Sequence, residues 1–255
     1  MSGRLYSLAN VKRSEAKMSL DQKTSRTLKN RTLKKKIRQL LLQEDFEKGL
    51  SQICGIPARK AINPLFSFLF SLDELLKWRA VTAMGEVVAK LAEQDLESAR
   101  VIMRRYMWNL NDESGGIGWG CPEAMGEIMA RNENLAAEFG CILISYIRPD
   151  GNFLEHEVLQ RGALWGVGRL AHTRPPFLKD SAGYLVPFLQ APDPYLRGLA
   201  AWACKTLRNE KIDAALSRLT EDGAKLSIFL DGHLMPCSVG QLAREAIDYD
   251  IDSRP

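Results

Sequence analysis

A small residue returns through this chain at long, regular intervals. Gly85, Gly126, Gly168, Cys204 and Gly240 are separated by 41, 42, 36 and 36 residues. The first two sit in identical settings, Ala83-Met84-Gly85-Glu86 and Ala124-Met125-Gly126-Glu127. The later ones sit in Gly166-Val167-Gly168-Arg169, Trp202-Ala203-Cys204-Lys205 and Ser238-Val239-Gly240-Gln241. A period of this size marks one supersecondary unit repeated along the chain. A small residue at a fixed place has a packing reason, because helices approach closely where no side chain stands between them. Ala80, Ala124, Ala163, Ala200 and Ala201 recur around the same place and serve the same end. A helix pair cannot bury its apolar face alone, so successive pairs must stack.

The apolar pattern supplies the pairs. Asn63-Pro64 reads as a cap and first helical position leading Leu65 to Phe70, and Asp73 opens a long helix through Leu91. A second pair covers about 95–107 and 122–130, and a third 134–147 and 153–171, broken at Arg148-Pro149-Asp150-Gly151. A fourth covers 176–190 and 195–207 around Ala191-Pro192-Asp193-Pro194. No alternation of strands and helices appears, so the expected fold is an all-α solenoid of four to five helix pairs.

Ahead of the pairs, Leu33, Ile37, Leu40, Leu41, Phe46 and Leu50 keep helical spacing, with Lys34, Lys35, Lys36 and Arg38 between them. This is a basic amphipathic helix. Met1 to about Asn30 is polar and basic and reads as loose, apart from a capping-box start at Ser19 with Gln22. The chain divides into a basic arm and helix (1–42), the repeat region (43–248) and a tail (249–255).

Tyr184 to Cys204 resembles a HEAT repeat of the short bacterial kind named after phycobilisome lyases. Asp193, Pro194, Arg197 and Ala200-Ala201 fall where that family places its turn, its arginine and its small residues. The third pair is similar through Arg161, Ala163 and Gly168, and the first through Arg79, one place off. The second pair departs, with Gly120 or Cys121 where arginine is expected and a glycine-rich loop inserted. The resemblance spans about residues 60–248. Residues 228–247 are similar to the closing segment of such proteins, in which a short hairpin, here at Asp231-Gly232, leads into a last helix. The resemblance implies a superhelix of helix pairs, an α-solenoid with a short C-terminal β-hairpin, and leaves function open.

Charge is unevenly spread. Residues 1–42 hold twelve Lys or Arg against Glu15 and Asp21, leaving 23 basic and 29 acidic residues for the rest. A basic arm therefore precedes an acidic body, which argues against wrapping nucleic acid around the repeats. Cys54, Cys121, Cys141, Cys204 and Cys237 are widely spaced and odd in number, which suits reduced thiols rather than a metal ribbon or disulfide framework. The chain lacks a long apolar run and a signal-peptide core, so a cytoplasmic location is expected.

For function, the residues after the small positions are Glu86, Glu127, Arg169, Lys205 and Gln241. If second helices line the concave face, these form a stripe running from acidic to basic; an ordinary solvated stripe is the alternative. Trp119, set among Gly115, Gly116, Gly118 and Gly120, either plugs into a neighbouring repeat or anchors a partner. The loop also suggests an anion cradle, but no lysine follows it, and Asp112, Glu113, Glu123 and Glu127 surround it. Trp165, like Trp78 and Trp202, lies among Ala and Gly, where core filling and a stacking surface compete. Glu155-His156-Glu157 is the one acid–base cluster, and it sits at a helix start where acids belong anyway.

The expected function is a non-catalytic module that holds a protein partner on its concave face through Trp119, Glu86, Glu123, Glu127, Trp165, Arg169 and Lys205, with no cofactor and no metal. The alternative is nucleic-acid binding through Lys34, Lys35, Lys36 and Arg38, with or without the base chemistry of HEAT-like DNA glycosylases. A third reading, a lyase or chromophore chaperone, would need a reactive Cys121.

Overall fold

The computed structural model describes residues 30–111 and 118–249. The expected loose arm, the helix start at Ser19, the glycines at 115 and 116 and most of the tail lie outside the described residues. Residues 30–41 form α1, and α2 (Phe46–Cys54) follows. Five helix pairs come next: α3 (Ala58–Phe68) with α4 (Glu74–Gln94), α5 (Leu96–Leu110) with α6 (Cys121–Arg131), and α7 (Glu133–Ser145) with α8 (Glu157–Thr173). The fourth joins two 3-10 turns and α9 (Val186–Leu189) to α10 (Pro194–Cys204), and the fifth joins α11 (Glu210–Leu219) to α12 (Val239–Ile247). Between α11 and α12 lies the hairpin, β1 (Lys225–Leu230) and β2 (His233–Ser238). The fold is an all-α solenoid with one short antiparallel hairpin.

The second helices make the inner row: α4 packs on α6, α6 on α8, α8 on α10, and α10 on α12. The small residues set the spacing. A Cβ on Gly126 would stand 2.4 Å from the Cα of Gly166, and one on Gly166 would stand 2.6 Å from the carbonyl oxygen of Pro122. The two backbones therefore touch. One apolar core runs from Ile37 in α1 to Ala246 in α12, so α1 belongs to the same body as the repeats.

Side-chain caps start most helices: Asp45, Asp73, Asp95, Asn132, Asp193 and Asn209 each accept from an amide of the first turn. Arginines latch neighbouring pairs. Arg161 Nε donates to Asp193 at 2.7 Å, Arg197 Nε to Asp222 at 2.8 Å, and Arg79 Nη1 to the carbonyls of Leu41 and Gln43. These are the three arginines that carried the sequence resemblance.

Two local expectations need correction. The first helix begins at Ala58, so Pro64 lies inside it rather than at its first position. The stretch 176–190 is not one helix. Pro175, Pro176, Gly183 and Pro187 break it into 3-10 turns and the single turn of α9. The hairpin does form at Asp231-Gly232. Both residues have positive φ, 47° and 83°, as a two-residue turn joining Leu230 to His233 requires.

Because backbone atoms meet at Gly126, Gly126→Ala is expected to cost about 1–3 kcal/mol of unfolding free energy. Gly183→Ala, with nothing within 4 Å of the added methyl, is the control and stays near the parent. Urea unfolding of the two variants checks this; equal midpoints would show that the inner row tolerates a wider spacing.

Candidate functional site: two clefts on the inner face

The hairpin folds back across the inner face. Trp165 Nε1 donates to the carbonyl of Phe229 at 3.0 Å, and the Phe229 ring stacks on Trp78 at 5.1 Å. Trp165 also meets Trp78 at 4.7 Å and Trp202 at 6.1 Å. The turn at Asp231-Gly232 reaches Phe46 of α2, beside which it lines a cleft. The expected open groove is thereby split in two.

The larger cleft is a cavity of about 450 Å³ toward the C-terminal ends of the inner helices. Glu127, Trp165, Arg169 and Lys205, all expected from the sequence, line it together with Arg131, His172 and Trp202. Glu127 is only 3% exposed and is held from two sides. Arg131 Nε donates to its Oε1 at 2.8 Å and Arg169 Nε to its Oε2 at 2.6 Å. Arg131 also pairs with Glu86, which in turn pairs with Lys90 at 3.3 Å. Glu86, Glu127 and Arg169 of the expected stripe thus belong to a chain of ion pairs across α4, α6 and α8, while Lys205 and Gln241 stand outside it. Lys205 lies 5.1 Å from the Tyr249 ring, and His172 Nε2 is 2.8 Å from the Trp202 carbonyl oxygen.

The smaller cleft, about 240 Å³, lies at the N-terminal ends of the inner helices. Glu123 sits there, 2% exposed, accepting from Lys77 Nζ at 2.7 Å. It is part of no exposed acidic surface. Trp165 is 3% exposed beneath the hairpin, so its ring is core, with one edge bordering each cleft. Trp119 lines neither cleft. It is half-buried with its Nε1 turned inside, between Gly118, which packs on Leu110, and Gly120, which packs on Leu69. Lys34, Lys35, Lys36 and Arg38 are all exposed on α1.

Sequence reasoning missed Arg131, His172, Lys77 and the hairpin residues. Arg131 carried a signal, since it stands four residues after Glu127 on the same helix. The other partnerships are long-range: 46 residues separate Lys77 from Glu123, and 64 separate Trp165 from Phe229.

The described residues offer no chemistry resembling a nucleophile with its base. Cys121 is fully buried, and burial pushes its thiol up to about 12. At neutral pH it is a thiol and not a nucleophile. Cys204 is raised further by the same cause. Among the described residues no group of three or more His, Cys, Asp or Glu is placed to hold a metal ion, and no helix is long and apolar enough to cross a membrane. In native protein at pH 7.5 a thiol-specific reagent is therefore expected to label exposed Cys141 first and to leave Cys121 and Cys204 unmodified until unfolding. Peptide mapping after a short pulse tests this, and early labelling of Cys121 would revive the reactive-thiol reading.

Comparison with known proteins fits this geometry. Residues 157–207, from the start of α8 through α10, match the family described as HEAT-like repeat. A protein of Archaeoglobus fulgidus described as an uncharacterized protein is 31% identical over 107 residues, covering 42% of this chain. The chain spans about half, 52%, of the length of that curated relative. Among solved structures, a designed armadillo repeat protein in complex with the peptide (KR)4 is similar at 18% identity and a TM-score of 0.48, over 84% of this chain and 97% of that one. An engineered protein is similar at 15% identity and a TM-score of 0.49, over 86% and 96%. The chain carries a HEAT-like repeat within a solenoid of helix pairs.

Proposed function

We propose that this protein is a non-catalytic, cytoplasmic binding module of the phycobilisome-lyase HEAT-like type, which holds a protein partner in the larger inner cleft. The observation that carries the reading is convergence: Glu127, Trp165, Arg169 and Lys205 come from three inner helices and line one cavity. Arg169 and Lys205 stand on adjacent helices of the row, at a spacing of roughly 8–10 Å. Glu86 extends the charged rim through Arg131. Trp202 and Trp165 give the cleft a rigid aromatic floor, the kind of surface on which a partner's side chain loses little freedom. Trp119 and Glu123 lie outside this cleft, so the reading does not rest on them.

A second reading rests on α1. Lys34, Lys35, Lys36 and Arg38 are all exposed on it and would take the phosphate backbone of a nucleic acid.

One capture experiment separates the two. Protein recovered from nuclease-treated lysate should be retained by the parent and weakened about tenfold, ~1.4 kcal/mol, by each of Arg169→Glu and Lys205→Glu. Neutralising Lys34, Lys35, Lys36 and Arg38 to Gln should leave that capture unchanged. Recovery of nucleic acid alone, lost in the α1 variant, would replace the cleft reading by the second.

A further inference from the structure

The smaller cleft has a chemistry of its own, set by one carboxylate. Glu123 is 2% exposed, and its Oε1 takes the Lys77 ammonium at 2.7 Å. Its Oε2 is buried and accepts no hydrogen bond among the described residues. Buried acceptors are almost always paired, so an unpaired one needs a reason. The carboxylate packs on the bare backbone of Gly162, where a Cβ would stand 2.5 Å from Oε2, and both residues line the cavity.

The charges around the cavity leave this oxygen without a cation of its own. Glu74 and Lys77 come from α4, Glu123 from α6, Glu157 and Arg161 from α8, and Asp193 from the turn before α10. Lys77 is committed to Glu123, and Arg161 to Asp193 at 2.7 Å and Glu157 at 3.7 Å. Both cations that line the cavity are thus already engaged, and Glu157 and Asp193 hold Arg161 from outside its lining. The helix N-termini contribute partial positive charge, but first-turn amides of α4, α8 and α10 donate to Asp73, His156 and Asp193. The aromatic walls already hold cations, with Lys77 5.1 Å from the Trp78 ring and Arg161 4.7 Å from the Tyr195 ring. Val158, Leu199 and Leu234 close the remaining sides with apolar surface.

We propose that this cavity binds a compact organic cation, a primary ammonium or a guanidinium on a short apolar body, which donates to Glu123. The space of about 240 Å³ corresponds to roughly eight water-sized volumes, enough for such a group and too little for a large ligand. The same chemistry is available from a free amine or from a lysine or arginine side chain.

The test is titration of the full chain with n-butylammonium, followed by heteronuclear NMR, with butyrate as the anionic control. Saturable shifts around Trp78 and Trp165 are expected, with millimolar affinity and no response to butyrate. Glu123→Gln should weaken binding at least tenfold. Leu234→Trp, which fills the cavity without touching the carboxylate, should abolish it, and this variant decides the matter if Glu123→Gln fails to fold. Lys205→Glu, in the other cleft, should bind as the parent does, so failure here is distinguishable from failure of the protein-binding reading. An acetylated and amidated Ala-Lys-Ala peptide that binds more tightly than n-butylammonium would identify a protein side chain as the source; one that does not bind would identify a free amine. No saturable shift in the parent, equal shifts in both variants, or binding of butyrate would overturn the proposal.

Discussion

The contact on which this structure depends is the bare-backbone approach of α6 to α8. With no side chain at Gly126 or Gly166, Cα and carbonyl atoms stand where methyl groups would otherwise be. Such an approach maximises dispersion between the two helices and leaves no tolerance for added volume. It has a second consequence. Drawn in from both sides, α6 is buried at every position from Cys121 to Ala130. A helix that presents no face to water must either be apolar throughout or satisfy its polar groups internally. This one carries Glu123 and Glu127.

Those two carboxylates explain where the ion pairs of the body lie. Leaving either buried charge without its partner would cost about 3–5 kcal/mol, whereas exposed pairs such as Arg148 with Asp150 are screened by water and contribute little. The structure meets the need from neighbouring pairs: Lys77 of α4 for Glu123, and Arg131 with Arg169 of α8 for Glu127. Close packing and charge pairing therefore act at the same interfaces. The glycines set how near the helices come, and the carboxylates favour the one register in which both find cations.

The repeat was legible because its signal is local. Spacing of small residues, turn prolines and first-turn caps all lie within a few residues of what they determine. Local reading failed where two local rules competed. Asn63-Pro64 looks like a helix start, yet Ala61 and Ile62 already belong to the core and pull the helix back to Ala58. The site was legible only in part. The order Glu86, Glu127, Arg169, Lys205 did mark the residues that line or border one cleft. What no local pattern encodes is the return of the hairpin over Trp78 and Trp165, since the pairing partners are 64 residues apart for Trp165 and Phe229. Burial of Trp165 and pairing of Glu127 with Arg169 follow from tertiary contacts that leave no mark at short range.

That return changes the physical character of the solenoid. In an open repeat array each pair contacts only its neighbours, and stability is close to a sum of local terms. Here β1 from the last pair stacks on Trp78 of the first, and the hairpin turn approaches Phe46 of α2. Two ends of the array are tied through the middle of its concave face. A perturbation at either end is then felt at the aromatic cluster, and local opening of one pair strains the hairpin as well as the next helix. The same strap divides the face into one cleft rimmed by arginine and lysine and another centred on an unpaired carboxylate oxygen. Distinct chemistry thus lies on the two sides of a shared tryptophan, with one scaffold behind both.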